Sequence, residues 1–236
     1  NSARFPIEAH HDKASRIKAT GATYTPTEVA AFFAGQILDE AEPSATPLRV
    51  LDPAVGEGEL LLALLRKIQQ PGEIYGFDTN PEALAIARSR IAAEFPDVRV
   101  HLKTGCFLDH VLNMLTGDLL EVPEMFDLII SNPPYVRTQV LGATKAKRLA
   151  KGFNLSGRVD LYQAFLMGMS RVLAPCGVMG AIVPNSFMKT KGAAALRAGL
   201  RRDLNIQRII DLGDTKLFEA AVLPTMLIAR GKACAD

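Results

Sequence analysis

Arg49-Val50-Leu51-Asp52-Pro53-Ala54-Val55-Gly56-Glu57-Gly58-Glu59 is the stretch that decides the fold. A short apolar run ends in an acid, turns through two glycines and opens directly into the helical pattern Glu59–Gln69. Strand, glycine turn and helix in that order form the first half of a βαβ unit. The alternation continues outward from there. Strands are predicted at Arg49–Asp52, Glu73–Asp78, Val98–Lys103, Phe126–Ser131, Val178–Val183, Gln207–Asp211 and Pro224–Ala229, and further helices at Thr27–Glu40, Pro81–Phe95, Leu161–Leu173 and Gly192–Leu204. Asn80 is the expected N-cap before Pro81 at a first helical position. Only a loop separates the last two strands, which favours an antiparallel edge pair there. The expected architecture is α/β, a mostly parallel seven-stranded sheet with an antiparallel terminal strand.

Composition narrows the class. The 236 residues suffice for one large α/β domain, and a second compact domain would be cramped. A net charge of +2 is too mild to argue for nucleic acid, so a case from charge depends on where charges cluster. Cys106, Cys176 and Cys234 are far apart and form no CxxC pair, which speaks against a disulfide framework and a thiolate metal site and suits a reducing cytoplasm. The four histidines include no i,i+4 pair beside a carboxylate, so no metal is expected. Asn1–Lys18 lacks a signal-peptide core, and the apolar stretch Leu161–Val183 is interrupted by Gln163, Arg171 and Pro175, so no membrane segment is expected. A chain that begins with Asn is read as a fragment or processed piece of something longer.

The glycine loop carries the first chemistry. Gly56 and Gly58 allow a tight turn and close backbone approach to a ligand, but the third glycine of a dinucleotide fingerprint is replaced by Leu61. Asp52, Glu57 and Glu59 surround the loop, and a pyrophosphate would meet three negative charges. S-adenosylmethionine, with a cationic sulfonium and ammonium, fits such a loop better. Dipole complementarity in a first helical turn accounts for Glu59 equally well. Asp78 closes the second strand, 26 residues after Asp52, where a carboxylate can accept from both ribose hydroxyls of an adenosine.

After the fourth strand the chain reads Asn132-Pro133-Pro134-Tyr135. Two prolines hold the turn rigid and leave the Pro133 carbonyl free to accept. An Asn oxygen and a main-chain carbonyl together can grip both hydrogens of an exocyclic –NH₂, and Tyr135 offers a flat face for a base. Such an amine is a poor nucleophile because its lone pair is delocalised. Two acceptors draw it toward a tetrahedral nitrogen and aim the lone pair at a methyl group. No strong base is required, because the proton becomes acidic once the methyl is attached. The following connection, Val136–Val159, carries Arg137, Lys145, Lys147, Arg148, Lys151 and Arg158 and no acid, which points to nucleic acid rather than to a merely solvated face.

With these motifs in this order, from about Gly21 to Ala229, the chain resembles the γ-class adenine-N6 DNA methyltransferases, the Taq-type enzymes and methylase parts of restriction–modification proteins. The resemblance implies a Rossmann-like class I S-adenosylmethionine-dependent methyltransferase fold and transfer to adenine N6 in a flipped-out base of double-stranded DNA. It implies cofactor contacts from Tyr24 and Thr25 in Gly21–Pro26, from Asp52, Ala54, Gly56, Gly58 and Asp78, from Cys106 and Phe107, and from Asn132. It places Asn132, Pro133, Pro134 and Tyr135 in catalysis, with Phe218 stacking on the extruded base; the alternative for Phe218 is a core position between two strands. One departure is Cys106, where the family commonly has an Asp that reads the cofactor's adenine amine; Asp109 is a possible substitute. Residues 1–236 are thus read as one catalytic domain, with 1–20 an N-terminal extension and 136–159 a basic loop facing DNA. The target-recognition domain of such enzymes, or a nuclease, would belong to a longer chain or another subunit. Asn-Pro-Pro-Tyr also suits enzymes that methylate a protein glutamine amide, and an RNA amine is a third acceptor. A non-catalytic cofactor- or DNA-binding subunit is the alternative of another class.

Overall fold

Period-two burial along one strand sets the layers. In β4 (Phe126–Ser131), Ile129 joins one apolar cluster while Leu128 and Ile130 join another on the opposite face. A strand buried on both faces needs helices above and below it. The computed structural model describes residues 25–42, 46–68, 71–117, 124–157, 159–213 and 223–232. Helices α1 (Thr27–Leu38), α2 (Glu59–Leu65) and α3 (Pro81–Glu94) supply one layer. The other comes from α4 (Phe107–Thr116), α5 (Ala143–Gly152), α6 (Leu161–Val172) and α7 (Ala194–Asp203).

Between the layers lie β1 (Leu48–Asp52), β2 (Pro71–Asp78), β3 (Arg99–Thr104), β4, β5 (Leu173–Pro184), β6 (Leu204–Asp211) and β7 (Pro224–Gly231), in the order β3-β2-β1-β4-β5-β7-β6. Strands β1 to β5 pair in parallel, and β7 runs antiparallel to both β5 and β6. This is the expected sheet, with the reversed strand lodged inside β6 rather than at the rim. Close packing leaves little freedom at two glycines. A Cβ on Gly76 would fall 2.3 Å from Val55 Cγ2, and one on Gly180 would fall 2.5 Å from Ile37 Cδ1.

Several expectations are corrected. Helix α4 was not read from the sequence, since its N-cap, Cys106, makes no side-chain capping bond. The basic connection is no bare loop: it holds a 3-10 turn over Thr138–Leu141 and the whole of α5. Only Leu149 of α5 is buried, so the helix shows no broad apolar stripe to read. It is instead tied to α4 by Lys145–Asp109 at 2.7 Å and Arg148–Asn113 at 2.8 Å. The expected absence of disulfides fails at Cys176, which is disulfide-bonded, because separation along the chain does not decide which thiols meet in the fold.

Candidate active site

The sheet grows from β1 through β2 to β3, then resumes on the other side of β1 with β4. At such a switch the strands' carboxyl ends open a crevice, the usual ligand position in α/β sheets. Asp52, Asp78 and Ser131-Asn132 close β1, β2 and β4 on that rim.

The glycine loop follows β1. Gly56 and Gly58 have φ of 53° and 85°, a region in which other residues are strained. The Gly56 N–H donates to Asp78 Oδ2 at 2.8 Å, and the Asn80 N–H donates to Asp78 Oδ1 at 2.8 Å. Both oxygens are thereby aimed, and each keeps a further lone pair for an outside donor. A Cβ on Gly56 would meet nothing within 4 Å, so the space beside the loop is open. A Cβ on Gly58 would sit 3.0 Å from Ala87 Cβ, which presses the start of α2 against α3. From α3, Arg90 donates to the Glu57 carbonyl at 2.8 Å and to Glu59 Oε2 at 2.6 Å. Burial would raise the Glu59 carboxyl, and hydrogen bonds from Arg90 and Thr27 outweigh it and hold the group below its ordinary range. Glu59 therefore braces the loop.

Asp52 is fully buried, with Oδ1 accepting from the Ala54 N–H at 2.9 Å. Its Oδ2 makes no hydrogen bond of ordinary geometry among the described residues, and the buried Ser131 hydroxyl is the side chain close enough to act on it. Burial pushes the Asp52 carboxyl up to about 8; the Ala54 amide opposes this, the charge of Asp78 adds to it, and the Ser131 hydroxyl also opposes it. A cationic ligand would favour the ionised form of that buried carboxyl, whereas a phosphate would oppose it.

The rim's other half is built from Asn132. Its Nδ2 donates to Thr25 Oγ1 at 2.9 Å, across 107 residues of chain, and both side chains are buried. The Tyr135 hydroxyl lies 2.8 Å from Asn132 Oδ1 and 3.0 Å from the Ile182 carbonyl of β5. Burial holds the phenol well above its usual pKa, so it remains a neutral donor. The hydroxyl thus points into the protein, a role that the flat-face expectation for Tyr135 did not include. Pro133 is buried, and Pro134 is half-buried.

Around the end of β3, Cys106 is a free, half-buried thiol. Phe107 is buried, its ring 5.8 Å from those of Phe77 and Phe165. Asp109, the expected substitute for the missing acid, is held by Lys145 at 2.7 Å and Arg148 at 3.6 Å. Tyr24 and Phe218 lie outside the described residues. Sequence reasoning missed Arg90, the Ile182 carbonyl and the Thr25–Asn132 bond, because each depends on which elements become neighbours and leaves no local pattern.

The model of the Eco57I restriction-modification methylase family matches residues 72–218, more than half of the chain. The chain belongs to that family. It is 42% identical over 228 residues to the type II methyltransferase M.BanIII of Aneurinibacillus aneurinilyticus, covering 91% of this chain and 39% of that protein. The chain thus spans about two-fifths of the length of the curated relatives it matches. Among solved structures, a class I S-adenosylmethionine-dependent methyltransferase from Listeria monocytogenes superposes with a TM-score of 0.69 at 20% identity, covering 90% of this chain and 62% of that one. A type I restriction-modification methyltransferase subunit from Streptococcus thermophilus also gives 0.69 at 19% identity, covering 98% and 52%. This Eco57I-family chain has the fold of the class I S-adenosylmethionine-dependent methyltransferases. The buried Asp52 carboxyl, the open side of Gly56 and the aimed Asp78 carboxylate fit the cationic end, close approach and ribose of S-adenosylmethionine. Among the described residues no cluster suits a metal ion, and no helix is long and apolar enough to cross a membrane.

Proposed function

We propose that this Eco57I-family chain is the catalytic part of a cytoplasmic restriction–modification methyltransferase that modifies adenine N6 in a base extruded from duplex DNA. The reading rests above all on the Asn132 carboxamide, held between Thr25 and Tyr135 beside the glycine loop. When bound, S-adenosylmethionine supplies an electrophilic methyl carried on a sulfonium. Asp52 would face its cationic end and Asp78 its ribose hydroxyls, with Ala54, Gly56 and Gly58 letting the backbone come close. Tyr24 and Thr25 would border its methionine part, and Cys106 and Phe107 its adenine. Asn132 Oδ1 and the Pro133 carbonyl would accept the two hydrogens of the substrate amine and turn its lone pair outward. Pro134 keeps that turn rigid, Tyr135 and Phe218 would flank the base, and the spent proton passes to water.

The partner is read from charge. Lys147 and Lys151 of α5 are exposed and make no ion pair among the described residues, whereas Lys145 is taken up by Asp109. Extrusion is required because a paired amine inside a duplex is out of reach. Target recognition, and any nuclease, would be supplied by other sequence.

The test is transfer of a tritiated methyl group to unmodified duplex DNA by the full-length protein, followed by digestion to nucleosides. N6-methyladenine is the expected product. Label on a protein glutamine or on RNA, with DNA untouched, would favour the other two acceptors. Transfer to none of them would indicate a non-catalytic subunit.

A further inference from the structure

Three distant segments converge on one amide. Thr25 precedes α1, Asn132 and Tyr135 follow β4, and Ile182 belongs to β5. We propose that Thr25 and Tyr135 are positioning residues that lock the Asn132 carboxamide at both ends, so that Oδ1 meets the acceptor amine in one fixed orientation. The proposal rests on the reading that Asn132 grips that amine.

An Asn side chain is broad about its last torsion, so an untethered carboxamide would present its oxygen over a wide arc. Here Nδ2 is fixed by Thr25 Oγ1 at 2.9 Å and Oδ1 by the Tyr135 hydroxyl at 2.8 Å. The Tyr135 oxygen is itself anchored, 3.0 Å from a main-chain carbonyl that cannot donate. Its one proton must therefore serve Ile182 O or Asn132 Oδ1, and the shorter distance favours Asn132. With Oδ1 so anchored, the carboxamide oxygen holds a set direction toward one N–H of an –NH₂, and the second N–H is left for the Pro133 carbonyl. Donation from Nδ2 to Thr25 also polarises the amide and enriches its oxygen. Thr25 is thus more than a border of the cofactor, and Tyr135 more than a flat ring.

Tyr135→Phe keeps the ring and nearly all of the volume while deleting the hydroxyl, and Thr25→Val deletes the acceptor at constant shape. In the full-length protein, single-turnover methylation of unmodified duplex DNA by each variant should slow by ~10- to 100-fold, the scale of a small misplacement at a reacting centre. The KM for DNA and the calorimetric Kd for S-adenosylmethionine should stay within ~3-fold, since these hydroxyls would act on orientation rather than on binding. Retained cofactor binding also shows that the variants fold. Thr25→Ser, which restores the hydroxyl, should recover most of the rate. Wild-type rates in Tyr135→Phe and Thr25→Val, with Asn132→Ala inactive, would overturn the positioning role. An active Asn132→Ala would instead sink the underlying reading of the site. A Thr25→Val defect confined to cofactor Kd would make Thr25 a cofactor contact and overturn its share of the lock.

Discussion

The two halves of the strand-end rim solve the same problem in different ways. On the β1–β2 side, polar groups are held largely by backbone amides close in the sequence: Asp52 by Ala54, and Asp78 by Asn80 together with the glycine loop. That side is built from carboxyls, and the Asp52 one is fully buried. On the β4–β5 side the groups are neutral and are held by side chains from far away, as Thr25 holds Asn132. The difference suggests a division of labour. A cationic cofactor calls for fixed negative charge, whereas an aromatic amine calls for aimed, uncharged acceptors that withdraw electrons gradually.

If the halves are separable, damage to the first should weaken cofactor binding and spare turnover at saturation. Asp78→Ala should have the largest effect. Hydrogen bonds to a charged group are worth ~1.5–3 kcal/mol each, so losing two from ribose hydroxyls should weaken S-adenosylmethionine by ~100-fold or more in calorimetry. A collapse of the saturated rate at unchanged Kd would break the comparison.

Asp52 comes next, and its signature is a pH dependence. Its raised pKa, about 8, means that the folded protein carries a proton there at neutral pH, which a cationic ligand must displace. Cofactor affinity should therefore climb by up to ~tenfold between pH 6 and 7, below the ~7.7–8.0 at which an α-amino group itself titrates. In Asp52→Asn that slope should vanish. The same shift acts on stability. Between the unfolded carboxyl's ~3.9 and the folded value, only the folded chain holds this proton, so stability contributed here is full at low pH and is lost as pH rises through that window. Thermal melts of Asp52→Asn should show a shallower decline than wild type.

The contrast between the halves also explains what was legible in the sequence. Asn80 caps α3 by accepting from the Glu82 and Ala83 amides at 3.0 and 3.4 Å, a motif contained within four residues. Glycine turns, strand ends and the proline turn are equally local, so the sheet and the position of Asn132 could be read directly. Helix α5 could not, because its partner Asp109 lies 36 residues away from Lys145 and its own face buries one leucine. Nor could the inward turn of the Tyr135 hydroxyl, which depends on a carbonyl 47 residues downstream. Local chemistry is visible in sequence, whereas pairing between elements becomes visible only once the sheet has ordered them.

Arg90→Met should have a moderate effect on the same half. It removes the donor to the Glu57 carbonyl and leaves the Glu59 carboxylate with the Thr27 hydrogen bond but without its ion pair, although Arg90 is partly exposed and solvent softens the loss. A ~3- to 10-fold weakening of cofactor binding and a lower melting temperature are expected, at an unchanged saturated rate. Adding Glu59→Gln should return part of the stability, because the buried charge that lost its ion pair is then gone. Full additivity of the two substitutions would mean that the bond does not brace the loop.

The smallest effect is expected outside both halves, on α5, and it tests which cations meet DNA. Lys147 and Lys151 are exposed without an ion pair among the described residues, whereas Lys145 is spent on Asp109. Each phosphate neutralised contributes ~0.9 to the slope of log affinity against log salt on duplex DNA. Lys147→Gln with Lys151→Gln should therefore flatten that slope by up to ~1.8, at a cost of only a few-fold in affinity near ~150 mM salt. Lys145→Gln should leave the slope unchanged and instead lower the melting temperature, because it removes a tie between α4 and α5. The opposite pattern, with Lys145 controlling the slope and the other two silent, would mean that the Asp109 pair opens when DNA binds. The basic segment would then belong to the moving part of the enzyme rather than to its fixed surface.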